Sequence, residues 1–311
     1  MNIVYFGTPE FGAYILEELI KSTNTQPAPR FTVQTVITRA DKPVGRHQTI
    51  SSSPVALVGQ KYHIPVLKPL KLNEEFIQNH LSFLDCDLFI VASYGKIIPQ
   101  ALLDIPKLGA INVHGSILPK YRGASPIQSA ILNKDKETGV TTVLMDDQMD
   151  HGPVLFTKKI SISDKDTYST LSTKILQVAA PLLIDTLTKF VEGNVTPKQQ
   201  NHDLATFCSL LKKDSGYFDI NNPPSLENLD RMIRAYYPWP GVWTRFRASS
   251  ADRVPHKASA VTQVAAKAEQ GSSGQECIVK LLPEGKIQME GKKVMGLKDF
   301  LNGYPDFPLK F

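Results

Sequence analysis

The 311-residue sequence predicts an α/β fold: a mostly parallel sheet with helices on both faces, followed by a smaller all-β domain. Three observations predict it. Short β-branched or aromatic runs alternate with helical periods as far as Glu192. A polar stretch then breaks the alternation. Beyond Gly241, short β-type runs recur between turn residues.

Asn2 to Phe6 is the first strand. Thr8 is placed to cap the helix that follows, with Pro9 at its first position and Phe11, Ile15, Leu16, Leu19 and Ile20 at helical spacing. Phe31 to Thr38 is a second strand. The segment 39–54 is long, polar and basic without an apolar period, so it reads as a loop, functional or merely solvated. Pro54 to Tyr62 and Asn73 to His80 read as helices, with Ile64 to Leu67 a short strand between them. Leu88 to Ala92 is a third strong strand. Ser125 to Leu132 reads as a helix, and Val140 to Met145 and Pro153 to Ile162 as strands. Ser163 and Asp166 fit a capping pattern ahead of a helix running towards Glu192. Its stripe is Leu176, Ala180, Leu183, Leu187 and Phe190, and Pro181 should kink or divide it.

These features place a first domain over 1–191, a linker over 192–207 and a second domain over 208–311. The second begins with a short helix, Glu227 to Tyr236. Strand-like runs follow at Val242 to Arg247, Lys257 to Val264, Cys277 to Leu282 and Lys286 to Glu290, which suggests a small antiparallel barrel. The full expectation is a Rossmann-like sheet followed by an OB-like β-barrel.

The first helix carries no G-x-G-x-x-G, so NAD or FAD is not expected. Formal charge is +5, and residues 241–311 hold 11 Lys and Arg against 7 Asp and Glu. That makes the tail better suited to phosphate contacts than to chemistry. Cys86, Cys208 and Cys277 are far apart and match no metal spacing, as expected of reduced thiols in a cytoplasmic protein. The chain starts on a strand rather than a signal peptide, and no apolar run approaches membrane-spanning length. No metal and no membrane contact are expected, and nothing demands more than a monomer.

The chemistry concentrates in one stretch. Ala110 to Val113 reads as a buried strand, and Asn112 and His114, two apart, point to the same side near its end. Carboxyl ends of strands are where open α/β sheets gather reactive groups. Met145 to Gly152 supplies carboxylates at Asp146, Asp147 and Asp150. Imidazole, amide and carboxylate together suit acyl transfer to an amine, with no Ser or Cys nucleophile. On pattern alone, a strand-end cap beside a solvated acidic loop is the competing reading.

Several segments resemble one family. Asn112-Val-His-Gly-Ser-Ile-Leu-Pro-Lys-Tyr-Arg-Gly-Ala-Ser-Pro-Ile-Gln128 is similar to the signature of formyltransferases that use 10-formyltetrahydrofolate. So are Phe6-Gly-Thr-Pro-Glu-Phe11, Val91-Ala-Ser-Tyr-Gly-Lys-Ile-Ile-Pro99, and Glu137-Thr-Gly-Val-Thr with Asp150-His-Gly. The insertion Asp41-Lys-Pro-Val-Gly-Arg46 and the tail motif Ile233 to Trp243 resemble the branch that formylates initiator methionyl-tRNA.

The resemblance implies catalytic roles for Asn112, His114 and Asp150. It implies folate contacts along Ser116, Ile117, Leu118 and Pro119 and at Tyr94, Gly95 and Ile97. It implies tRNA contacts at Arg46 and Lys42. Donors implied are folate alone, with no metal. Within the family, acceptors other than tRNA, such as an amino-sugar nucleotide or water, use the same trio. The chain departs from the pattern at His47 to Ile50, where lysines are usual, at His151, where a threonine is usual, and over 250–276.

Overall fold

The computed structural model describes residues 1–24, 31–44, 48–247 and 276–309. The chain divides into two compact units, one of residues 1–130, 135–164 and 170–210, the other of 131–134, 165–169 and 211–311.

The strands of the first unit are β1 (Asn2–Gly7), β2 (Thr32–Ile37), β3 (Lys42–Val44), β4 (Thr49–Ser51), β5 (Val66–Leu67), β6 (Leu88–Ala92), β7 (Ala110–His114), β8 (Arg122–Gly123), β9 (Glu137–Leu144), β10 (Val154–Ser161) and β11 (Phe207–Cys208). Its helices are α1 (Glu10–Asn24), α2 (Pro54–Lys61), α3 (Glu74–Asn79), α4 (Leu81–Leu84), α5 (Gln100–Leu103), α6 (Pro126–Leu132) and α7 (Tyr168–Val191). The last residues of α6 and the first of α7 cluster with the second unit.

Seven strands form the sheet in the order β10-β9-β7-β6-β1-β2-β5. From β5 to β7 all pairings are parallel, and β9 and β10 add an antiparallel edge. β7 therefore lies where the sheet changes direction.

Side-chain alternation in β1 builds two cores. Val4 and Phe6 join Phe89 and Val91 under Phe76 of α3, Leu84 of α4 and Leu102 of α5. Tyr5 points the other way, and its hydroxyl donates to the Gly12 carbonyl in α1 at 2.6 Å. Both faces are covered by helices, as the near-continuous apolar strands require.

Four local expectations are corrected. The Thr8 hydroxyl does not cap α1: it donates to the Tyr94 carbonyl at 2.9 Å, and the helix starts at Glu10. The long helix starts at Tyr168, beyond the Ser163–Asp166 pattern, and runs unbroken through Pro181. It buries Leu171, Ile175, Leu183 and Leu187. Each such side chain is worth about 1.5–3 kcal/mol, so two of them offset the roughly 3 kcal/mol of an interior proline. The segment 39–54 is not all loop, because β3 and β4 pair antiparallel, Pro43 opposite Ile50 and Val44 opposite Thr49. Three β-branched residues there supply the strand preference that the polar composition hid.

The second unit holds helices α8 (Leu226–Tyr236) and α9 (Leu297–Gly303). Its antiparallel sheet is β12 (Val242–Arg247), β13 (Glu276–Leu282), β14 (Lys286–Met289) and β15 (Met295–Gly296). Val279, Ile287, Phe300 and Phe307 form its core, with the Phe246 and Phe307 rings edge to face at 5.1 Å. Among the described residues this sheet is open rather than closed into a barrel, and the expected strand at 257–264 lies outside them.

Candidate active site

β7 presents Asn112 and His114 on one side, while Ile111 and Val113 are buried on the other. Register fixes their height: Asn112 is opposite Val91 of β6 and Val143 of β9, and His114 is opposite Thr141. The β9–β10 loop brings Asp150 to them. Asp150 has φ +50°, a conformation that side chains other than glycine rarely hold. Two residues on, a Cβ on Gly152 would stand 2.0 Å from the Leu144 carbonyl, so only glycine lets the loop close there.

The Asp150 carboxylate is the hub. Oδ1 accepts from the Asn112 amide at 2.8 Å, and Oδ2 accepts the Gly123 N–H at 2.8 Å. His114 Nδ1 lies 3.5 Å from Oδ2, with both side chains largely buried. His114 Nε2 meets the Tyr121 carbonyl at 2.9 Å. A carbonyl only accepts, so the proton is on Nε2 and Nδ1 is the ring atom free to exchange one.

Strand β11 holds the loop after β7. The Tyr121 N–H donates to the Thr206 hydroxyl at 2.9 Å, and the Arg122 N–H to the Thr206 carbonyl at 2.8 Å. Cys208 lies here too, and burial pushes its thiol up, so it is a neutral donor to the Tyr121 and Arg122 carbonyls rather than a nucleophile.

The other expected positions divide. Leu118–Pro119 is a cis peptide, and the loop is tied to β9 by Thr141, whose hydroxyl donates to the Ser116 carbonyl at 2.8 Å. The Ser116 hydroxyl is turned inward onto the Lys120 carbonyl. Ile117, Leu118 and Pro119 line a cavity of about 320 Å³ with Tyr121, Asp135, Thr138 and Leu204. None of Asn112, His114, Asp150 or the Tyr94 loop lines it.

The Tyr94 ring is core, edge-on to Phe6 at 5.4 Å, and burial pushes its phenol up to about 12. It offers a ligand only its backbone. Gly95, at φ +78° with open space around it, and Ile97, 85% exposed, do face outward. They follow β6, the strand beside β7. Lys42 is exposed on β3, and Arg46 lies outside the described residues. Among the described residues no group of three or more His, Cys, Asp or Glu is placed to hold a metal. No described helix is long and apolar enough to cross a membrane.

Sequence reasoning missed Gln200, whose amide nitrogen donates to the carbonyls of Asp150 at 2.9 Å and Gly152 at 2.7 Å. It also missed Arg122 and His202 behind it. The only sequence signal was a polar run, Gln199 to His202, with no apolar face of its own.

Residues 1–187 match the formyl transferase family, and 211–305 match the formyl transferase C-terminal domain. Methionyl-tRNA formyltransferase of Thermodesulfovibrio yellowstonii is 38% identical over 307 residues, spanning 97% of this chain and 96% of that protein. The Koribacter versatilis protein of the same name is 37% identical, spanning 98% and 96%. Among solved structures, phosphoribosylglycinamide formyltransferase from Bacillus halodurans superposes with a TM-score of 0.53 at 26% identity, over 61% of this chain and 95% of that one. A sugar N-formyltransferase from a Shewanella species gives 0.60 at 19% identity, over 78% and 92%, and shares the fold. With both of its units matched and the amide, imidazole and carboxylate of the 112–150 segment gathered at the rim of β7, the chain belongs to the formyl transferase family.

Proposed function

We propose that the chain transfers the formyl group of 10-formyltetrahydrofolate to the α-amino group of methionine on initiator tRNA. The observation that carries the reading is the Asp150 carboxylate holding Asn112 through one oxygen and facing His114 with the other. The acceptor is suggested by full-length relatives named methionyl-tRNA formyltransferase at 34–38% identity.

The donor fits the rim of β6 and β7, where Gly95 leaves open space and Ile97 presents an apolar side chain to a flat ring. Ser116 to Pro119 would hold it through backbone, since the Ser116 hydroxyl is already engaged. When bound, the folate supplies an activated one-carbon acyl group. Asn112 has a second amide N–H beyond the one given to Asp150, and it donates to the formyl oxygen as negative charge builds there. One such donor is worth about 3–4 kcal/mol of barrier. His114 Nδ1 takes the proton that the amine loses on forming its bond to carbon. It returns that proton to the folate nitrogen as the old carbon–nitrogen bond breaks. Asp150 Oδ2 stabilises the imidazolium in between.

Lys42 and Arg46 meet the tRNA, the insertion serving as a basic arm to phosphate. The first domain, over 1–191, does the chemistry, and the basic second domain, over 208–311, adds backbone contacts to the tRNA. We infer that the chain works as a monomer and in the cytoplasm; a tRNA acceptor supports the compartment.

The test is formyl transfer from 10-formyltetrahydrofolate to methionyl-tRNA, set against an amino-sugar nucleotide and water as acceptors. Preference for either of the latter would replace the tRNA reading with a sugar formyltransferase or a folate hydrolase.

A further inference from the structure

A chain of side chains runs back from Asp150. Gln200 Nε2 donates to the Asp150 carbonyl at 2.9 Å and to the Gly152 carbonyl at 2.7 Å. Its Oε1 accepts from Arg122 Nη2 at 2.7 Å and Nε at 3.3 Å. The amide orientation follows from chemistry: a guanidinium only donates and carbonyls only accept, so a flipped amide would lose all four contacts. Arg122 Nη2 also reaches His202 Nδ1 at 2.8 Å, which must therefore accept. The His202 ring stacks on His151 at 4.0 Å with planes 5° apart, and His151 Nδ1 is 2.7 Å from Asp146 Oδ2. Asp146 and His151 belong to the same loop as Asp150. The network thus starts and ends on the β9–β10 loop and clamps it from outside.

Gln200 and Arg122 are 7% and 4% exposed. Arg122 is a buried cation whose partners here are neutral: an amide oxygen, an imidazole nitrogen and the face of Phe207, 6.0 Å from its guanidinium carbon. Burying a charge without an anionic partner is unfavourable, so the surrounding fold must offset it. What it fixes is Gln200, and what Gln200 fixes is the backbone of a residue held at φ +50°. Such a conformation persists only where the surroundings over-determine it.

We propose that Gln200 is a positioning residue for Asp150: backed by Arg122 and His202, it holds the Asp150 backbone in the left-handed conformation that turns the carboxylate onto Asn112 and His114. This rests on the catalytic reading of Asp150 given above. Gln200 touches neither reacting atom; it acts through Asp150.

The experiment compares wild type, Gln200→Leu, Asp150→Asn and the double variant. It reads single-turnover formyl transfer to methionyl-tRNA, KM for both substrates, and the ¹⁵N shifts of the His114 ring at fixed pH. Gln200→Leu should lower turnover about 10- to 100-fold, as a displaced reacting group does, with KM values little changed and the His114 signals moved. In the Asp150→Asn background the same change should cost less than about twofold and leave the His114 signals where Asp150→Asn put them, because coupled residues are not additive. Equal losses in both backgrounds, or His114 signals that Gln200→Leu leaves unmoved in the wild-type background, overturn the inference. An Asp150→Asn variant with near-normal turnover instead overturns the catalytic reading itself. Should Gln200→Leu not fold, His202→Ala, at the exposed end of the network, makes the same comparison.

Discussion

The Asn112 amide and the Asp150 carboxylate meet at 2.8 Å although 38 residues separate them. The bond fixes the side chain that is proposed to serve a developing charge. It leaves Asn112 one free N–H with its direction already set, which is the preorganisation that makes such donors effective. Asn112→Ala should therefore lower kcat about 10²–10³-fold with little effect on KM, measured by steady-state formyl transfer.

His114→Ala should lower turnover about 10²–10⁴-fold, the range for a positioned acid–base group. Methionyl-tRNA binding, read by filter retention or fluorescence, should stay near wild type. A variant that binds weakly but turns over normally when saturated would show that the imidazole belongs to recognition.

Gly123 has φ +115°, and a Cβ there would lie 2.3 Å from the Cys208 carbonyl oxygen. Its N–H is one of the donors to Asp150. Gly123→Ala should lower stability by more than about 1 kcal/mol and reduce turnover, because the added carbon pushes β8 from β11 while moving the donor. Thermal unfolding and a turnover assay on the same preparation check both.

Lys42 is exposed on β3 and is expected to meet a phosphate. Lys42→Ala should weaken methionyl-tRNA use and reduce the slope of log affinity against log salt by about one. kcat at saturating tRNA should hold. An unchanged slope would remove Lys42 from the docking surface.

Asp87 carries a pH-dependent part of the stability. The Asn2 N–H, donating at 2.7 Å, and the Lys107 ammonium beside it hold its carboxyl below the usual range. A depressed folded-state value means that the unfolded chain binds the extra proton. The contribution is therefore full above the ordinary carboxylate value of about 3.9 and fades as pH falls through the lower folded one. Asp87→Asn should lower Tm at pH 7, and the gap from wild type should close in acid.

Much of this architecture can be read from the sequence, and the exceptions have physical reasons. β1, β6 and β7 are legible because strands buried on both faces are continuous apolar runs. Asn112 and His114 are legible because a two-residue spacing fixes their side. The choice of Asp150 over Asp146 and Asp147 is not, since it depends on a left-handed residue and a close glycine approach that spacing does not encode. Tyr94 misleads for a similar reason: its place beside Gly95 suggests a ligand wall, but Ser93, at φ +51° just past the end of β6, breaks the alternation and the ring packs against Phe6 in the core. Gln200 is hidden because two of its partners are backbone carbonyls, which leave no mark on composition, and the third, Arg122, is remote in sequence.

The return of the chain to β8 bears on how the protein can be dissected. Residues 206–208 lie against 119–124, and Lys198 bridges Val154, far beyond the end of α7 at Val191. A fragment cut after that helix would keep Asn112, His114 and Asp150 and lose the scaffolding that aims them. Excision points and fusion junctions belong past Leu210, where the first compact unit closes.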